Sequence, residues 1–221
     1  MFNMVDQELY IDSVEHHFDG RKILNGVYLR CKRGEVLGLL GRNGSGKSTL
    51  LKIIFGAIKA DYMHLKLDGQ LLLRAYPSRK IVYLPQHHFV PGYLRVKEAV
   101  FLFTHQYRDA LSAVAFIGTN LDAPLYTLSG GQRRFFEVLL LLYSDAPYVL
   151  LDEPFSQLAP LMAEEIGMHL DVLKAEKGFI ITDHHYRQIQ AVADRLILLH
   201  HGAAYPVKTG DDLRLHGYLP A

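Results

Sequence analysis

Glycines, a lysine and a serine stand at phosphate-holding spacing in "GRNGSGKS", Gly41 to Ser48. The stretch fits G-x-x-x-x-G-K-[ST] without a mismatch, over Gly41, Arg42, Asn43, Gly44, Ser45, Gly46, Lys47 and Ser48, with Thr49 directly behind. Backbone N–H groups of such a loop wrap the β- and γ-phosphates of a nucleotide. Lys47 brings them a positive charge, and the Ser48 hydroxyl is placed to ligate Mg2+. Two carboxylates follow a second apolar run in "APYVLLDEPF", Ala146 to Phe155. Asp152 is placed to hold a Mg2+ shell, and Glu153 to orient or deprotonate a water facing the γ-phosphate. "GFIIT" at 178–182 leads into Asp183 and His184. A histidine there reads either as a sensor hydrogen-bonding the γ-phosphate or as a structural hydrogen-bonding group. "KIVYLPQHHF", Lys80 to Phe89, carries Gln86, whose amide oxygen is a weak Mg2+ ligand. Finally "LSGGQ", 128–132, offers a serine hydroxyl and two glycines at the expected start of a helix. Free N–H groups and a helix dipole make that turn a second anion-seeking surface, in a chain that already has a phosphate loop.

These groups need elements to position them. "EVLGLL" reads as a short buried strand and "STLLKIIFGAI" has helical apolar spacing. Strand, glycine-rich loop and helix in that order separate a true phosphate loop from a chance match. "YVLL" is a continuous apolar run, as in a central parallel strand covered on both faces, and Pro154 ends its ladder. In open α/β sheets ligands sit at the carboxyl ends of strands, where Asp152, Glu153 and His184 fall. "HHFDGRKILNGVYL" reads as strand, turn, strand. Phe18, just before the Asp-Gly turn, fits either an aromatic reaching out to a base or an ordinary hairpin phenylalanine. The aromatic, Pro/Gly-rich "HHFVPGYLRV" and a helical region at roughly 95–117 predict an inserted subdomain, about 88–140, rather than a linker. No repeat or low-complexity segment is present.

Composition narrows the function classes. The 221 residues amount to one domain with an embedded subdomain, 49% hydrophobic and 21% charged. A net charge of +1 argues against a bulk electrostatic grip on nucleic acid or anionic lipid. The single cysteine, Cys31, excludes an internal disulfide and fits a reducing compartment. "MFNMVDQELYIDSV" has acidic residues where a signal peptide needs an apolar core, and "VLLLLY" at 138–143 falls short of the roughly 18–20 residues that cross a bilayer. A cytoplasmic protein is expected, brought to a membrane only by another chain. The ending "DDLRLHGYLPA" is expected to leave no room for an added regulatory domain. Eight of the twelve histidines form adjacent pairs, at 16–17, 87–88, 184–185 and 200–201. Neighbours on a strand point to opposite faces, and HExxH is absent, so no histidine metal site is expected.

With these motifs in order, the chain resembles the nucleotide-binding subunit of ATP-binding-cassette (ABC) transporters over nearly its whole length. Phe18, Walker A at 41–48, Gln86, the signature "LSGGQ", Walker B ending at Asp152 with Glu153 beside it, and His184 carry the likeness. Twenty positions separate Gln132 from Asp152, as the family pattern has it. The resemblance implies a phosphate-loop NTPase core of α/β class with a mainly parallel sheet, an N-terminal antiparallel β subdomain and a small inserted α-helical subdomain. It implies ATP and Mg2+ as ligands, with Ser48, Gln86 and Asp152 on the metal and Glu153, His184 and Lys47 catalytic. Phe18 becomes an adenine stacker, His184 a γ-phosphate switch, and Gln86 a link between Mg2+ and the transport partner. It further implies a head-to-tail homodimer, in which Ser129, Gly130, Gly131 and Gln132 of one chain cap ATP held by the phosphate loop of the other. A separate transmembrane permease would place the pair at the inner face of the cell membrane and choose the cargo.

Two departures stand out. The family continues after Walker B to Leu-Asp, where the aspartate meets the opposite subunit; here "EPFSQLAP" puts Ala159 at that place. After the signature, "RRFFEVLLLLYS" is bulkier and more apolar than the family's alanine- and arginine-containing helix, so different local packing is expected. The stretch from Gln86 to the signature is short, as for a small helical subdomain. A soluble ABC-type ATPase of assembly, translation or repair is the alternative. Such proteins often carry two cassettes, a coiled-coil insertion or a basic extension, and none is visible here. Ala159 also raises a degenerate cassette that binds ATP without useful turnover; Lys47, Glu153 and His184 argue against it.

Overall fold

The computed structural model describes residues 7–73, 75–184 and 186–220. Two long strands open the described residues, β1 (Glu8–Phe18) and β2 (Arg21–Lys32), joined by the Asp-Gly turn. Asp19 and Gly20 both take positive φ, 48° and 74°, the backbone that a tight two-residue hairpin needs. With β4 (Tyr62–Leu67) and β5 (Gln70–Leu71) they form an antiparallel sheet in the order β2-β1-β4-β5.

The second sheet is built from β3 (Val36–Leu40), β6 (Ile81–Leu84), β7 (Tyr148–Asp152), β8 (Gly178–Thr182), β9 (Arg195–His200) and β10 (Ala203–Val207). Its order is β10-β9-β3-β8-β7-β6; all pairings are parallel except β10 with β9. Every residue of β3, β7 and β8 is buried. Alternation along β7 sends Tyr148 and Leu150 to one face and Val149 and Leu151 to the other. The first face packs on α1 (Lys47–Phe55) and on Leu9, Ile11 and Leu29 of the antiparallel sheet. The second packs on α5 (Gly130–Leu142) and α6 (Pro160–Leu173). Continuous apolar strands are thus covered on both sides.

Between β6 and α5 the expected helical region is three short helices, α2 (Val96–Phe103), α3 (Arg108–Ser112) and α4 (Ala115–Asn120). The break after α2 has a long-range cause. The Asp145 carboxylate accepts from the backbone N–H groups of His105 and Gln106, both at 3.0 Å, and from the Thr104 hydroxyl at 3.2 Å. That cap turns the chain. α7 (Tyr186–Val192) and α8 (Gly210–Leu215) complete the fold.

The bulky signature helix packs as an apolar rod. Phe135, Phe136 and all residues from Val138 to Leu142 are buried in the core. Its terminal Leu142 carbonyl is met by buried Lys177, which donates to Leu142 O at 2.8 Å and to Ser144 O just beyond the helix. Burial pushes the Lys177 ammonium down to about 8. No helix among the described residues is long and apolar enough to cross a membrane.

Candidate nucleotide-binding and hydrolysis site

Helix α1 begins at Gly46, in the left-handed region at φ 101°, and no side chain caps it. Glycine takes that conformation without strain. The loop therefore delivers the helix N-terminus uncovered, as an anion needs it. An open cleft of about 510 Å³ lies over it, lined by Asn43 to Thr49, by Phe18 and Ile23, and by Gln86 and Glu153. Gly41 and Arg42 supply carbonyls instead: Lys47 Nζ donates to Gly41 O at 2.7 Å and Arg42 O at 3.4 Å. Burial lowers the Lys47 pKa, against the opposing pull of Glu153, Asp152 and Asp183. Phe18 is 64% exposed at the cleft, so it is no core phenylalanine.

The carboxyl ends of β6, β7 and β8 converge on the loop. Ser48 Oγ donates to Asp152 Oδ1 at 3.0 Å, and Gln86 Nε2 donates to Ser48 Oγ at 3.2 Å and Glu153 Oε1 at 3.0 Å. His184 Nδ1 lies 3.7 Å from Glu153 Oε2 and 3.4 Å from Asp183 Oδ1. Glu153 itself takes φ 51°, a strained setting for a non-glycine residue. Its N–H donates to Thr182 O at 2.9 Å, which over-determines that turn. The structure thus brings Lys47, Ser48, Gln86, Asp152, Glu153 and His184 together, from segments more than 130 residues apart in sequence.

Asp152 is 1% exposed, and among the described residues its carboxylate makes no ion pair. Its partners are hydroxyls: Ser48, Tyr83 (OH to Oδ2, 3.0 Å) and Thr182 (Oγ1 to Oδ1, 2.8 Å). Burial first, then the Asp152 charge, raises the Tyr83 pKa, so the phenol stays a donor. A buried carboxylate beside the Ser48 hydroxyl is a hard oxygen pair, one carboxylate strong, which suits Mg2+ completed by substrate phosphates; Gln86 turns its amide nitrogen, not its oxygen, toward Ser48 and Glu153. No group of three or more His, Cys, Asp or Glu that could hold a metal occurs among the described residues.

The signature lies elsewhere. None of Ser129, Gly130, Gly131 and Gln132 lines the cleft. Ser129 is the N-cap of α5 in a reciprocal capping box: Gln132 N–H donates to Ser129 Oγ at 3.3 Å, and Ser129 N–H to Gln132 Oε1 at 2.9 Å. A Cβ at Gly131 would come within 2.8 Å of Gln157 O, so the turn after Walker B packs directly on this glycine.

Sequence reasoning missed the side chains that join these parts. Arg134, 3% exposed, reaches from α5 to Pro85 O (2.6 Å), Asp152 O (2.7 Å) and Glu153 O (2.9 Å). Fully buried Glu137 accepts from Phe89 N–H (3.1 Å) and Val90 N–H (3.2 Å) and pairs with His88 Nδ1 (2.9 Å). The signal was there: two charges inside an apolar helical run.

Residues 24–156 match the sequence model of the family described as ABC transporter. The chain belongs to that family. This ABC ATPase is 35% identical over 200 residues to a probable ABC transporter ATP-binding protein of Azorhizobium caulinodans, covering 84% of this chain and 71% of the relative. It is 32% identical over 202 residues to the lipopolysaccharide export system ATP-binding protein LptB of Escherichia coli K12, covering 84% and 83%. A solved ATP-binding subunit of an ABC transporter superposes with a TM-score of 0.83 at 22% identity, over 96% of this chain and 95% of that one; at that identity it shows the fold alone. The cassette is therefore a transporter-type ATP-binding subunit of a family that hydrolyses ATP.

Ala159, the departure noted above, is the N-cap of α6, extended, exposed and without a side-chain cap, ahead of Pro160 at the first helical position. An aspartate there accepts from the first-turn N–H groups. Ala159→Asp is expected to stabilise the isolated chain by about 1 kcal/mol, a rise of about 2–4 °C in the thermal midpoint. An unchanged midpoint would show that this helix start gains nothing from a cap.

Proposed function

We propose that two copies of this chain close head to tail on two ATP molecules, and that closing and reopening move a separate transmembrane permease at the inner face of the cell membrane. The observation that carries this reading is the separation of two phosphate-seeking surfaces: the Gly46 helix start opens into the cleft, and the Ser129 helix start does not line it. A second chain is the source of phosphate for the second surface.

In each cleft Asn43 to Thr49 hold the phosphates and Phe18 stacks on the adenine. Ser48, Asp152 and Gln86 would hold Mg2+, which when bound neutralises charge on the β- and γ-phosphates. Glu153 orients the attacking water and accepts its proton, steadied by the Gln86 amide. His184, near Glu153, reports on the γ-phosphate. The signature residues Ser129, Gly130, Gly131 and Gln132 cap the ATP of the other chain. The segment of about 88–140 acts as the helical subdomain of a single 1–221 cassette.

Relatives include an export protein and, at 31% identity, a ribose import ATP-binding protein of Burkholderia ambifaria; the latter matches 90% of this chain but only 43% of its own length. Direction and cargo are therefore assigned to the permease. Co-purification of a multi-spanning membrane protein supports this reading over a soluble ABC-type ATPase.

Titration with a fluorescent ATP analogue tests the cleft. Lys47→Ala removes a charge-assisted partner worth about 1.5–3 kcal/mol, so affinity is expected to fall about 10- to 100-fold. Unchanged affinity would remove this loop as the site.

A further inference from the structure

The strands that flank β7 each send a hydroxyl to the carboxylate at its end. Thr182 stands directly opposite Asp152 in the parallel ladder of β7 and β8. Its hydroxyl donates to Asp152 Oδ1 at 2.8 Å and accepts from Glu153 N–H at 3.3 Å, so its direction is committed. On the other side Tyr83 stands opposite Leu150, two residues before the acid, and its longer side chain spans that gap. The phenol donates to Oδ2 at 3.0 Å while its ring packs against Phe55 of α1, centroids 5.6 Å apart. Each oxygen of Asp152 thus has its own hydroxyl donor, and Ser48 Oγ meets Oδ1 at 3.0 Å.

A carboxylate turns freely about its last bond unless both oxygens are held. Mg2+ demands near-ideal octahedral geometry, so the plane of a ligating carboxylate matters more for it than for a larger ion. We propose that Tyr83 and Thr182 are positioning residues that set the plane of the Asp152 carboxylate for Mg2+. The inference rests on the reading that Asp152 holds the metal. Neither side chain touches the nucleotide cleft; Tyr83 and Thr182 act through Asp152. A purely structural role would make them stabilise the fold without changing how much Mg2+ nucleotide binding requires.

The test measures binding of a fluorescent non-hydrolysable ATP analogue in EDTA and across a Mg2+ titration, with thermal midpoints alongside. Asp152→Asn tests the underlying reading and is expected to lose the Mg2+-dependent part of binding. Tyr83→Phe keeps the ring against Phe55 and removes one hydroxyl; Thr182→Val keeps the shape. Each is expected to raise the half-saturating Mg2+ concentration about 10-fold, the loss typical of a lost partner to a metal ligand, with affinity in EDTA unchanged. Thr182→Ser, which retains a hydroxyl, is expected to keep the wild-type requirement. A shift in Asp152→Asn with none in Tyr83→Phe or Thr182→Val would overturn the proposal while leaving Asp152 as the ligand. No shift in Asp152→Asn would remove the ligand assignment and the proposal with it.

Discussion

Glu153→Gln is expected to slow ATP turnover about 100- to 10,000-fold while nucleotide binding persists. The substitution keeps the shape of the side chain, and the Gln86 amide, 3.0 Å from Oε1, still finds an amide oxygen to meet. The backbone turn is untouched, because it is held by Glu153 N–H on Thr182 O and by Arg134 on Glu153 O. What goes is the negative charge that orients a water and takes its proton. The same charge opposes the γ-phosphate, so its loss is expected to trap an ATP-bound dimer. Phosphate release and size-exclusion chromatography with and without ATP read the two effects. Turnover near the wild-type level would sink the assignment of Glu153 as base.

Ser129→Arg is expected to abolish ATP-driven dimerisation and hydrolysis with ATP binding by the single chain almost intact. Ser129 lies outside the cleft, so the chain's own phosphate loop is undisturbed. The capping box on α5 adds a second effect: losing the Ser129 hydroxyl costs about 1 kcal/mol of stability, visible as a small fall in the melting point. Ser129→Ala shares that cost without adding a bulky cation, and so isolates it. Mixing Ser129→Arg with Lys47→Ala chains tests the geometry. One composite site of the mixed dimer then carries both lesions and the other neither, so some hydrolysis is expected to return. Mixed dimers that form and remain inactive would defeat the head-to-tail reading with independent sites.

The parts of the site that could be read in advance share one property: their chemistry lies in a few contiguous residues. "GRNGSGKS" works through consecutive backbone N–H groups ahead of a helix, so its residue order implied a phosphate loop leading into a helix; that the helix starts uncapped at Gly46 came from the structure. "YVLLDE" is a run of apolar residues ending in two acids, which by itself implied a buried central strand with carboxylates at its end. "LSGGQ" implied a helix start, and Ser129 with Gln132 caps one within four residues.

What escaped the sequence depends on partners far along the chain. The helical region at 95–117 breaks after Phe103 because Asp145, some forty positions later, caps the turn. Arg134 and Glu137 are charges within an apolar helical run, and their partners lie in other elements. Only folding brings Pro85, Asp152 and Glu153 carbonyls to the one, and Phe89 and Val90 N–H groups to the other. Tyr83 and Thr182 lie in two different strands, and only the β6-β7-β8 order puts their hydroxyls on either side of Asp152. Burial supplies the physical reason. A buried polar group must be paired, and the sequence records that requirement in the residue type, but the partner is chosen by which strands and helices pack together.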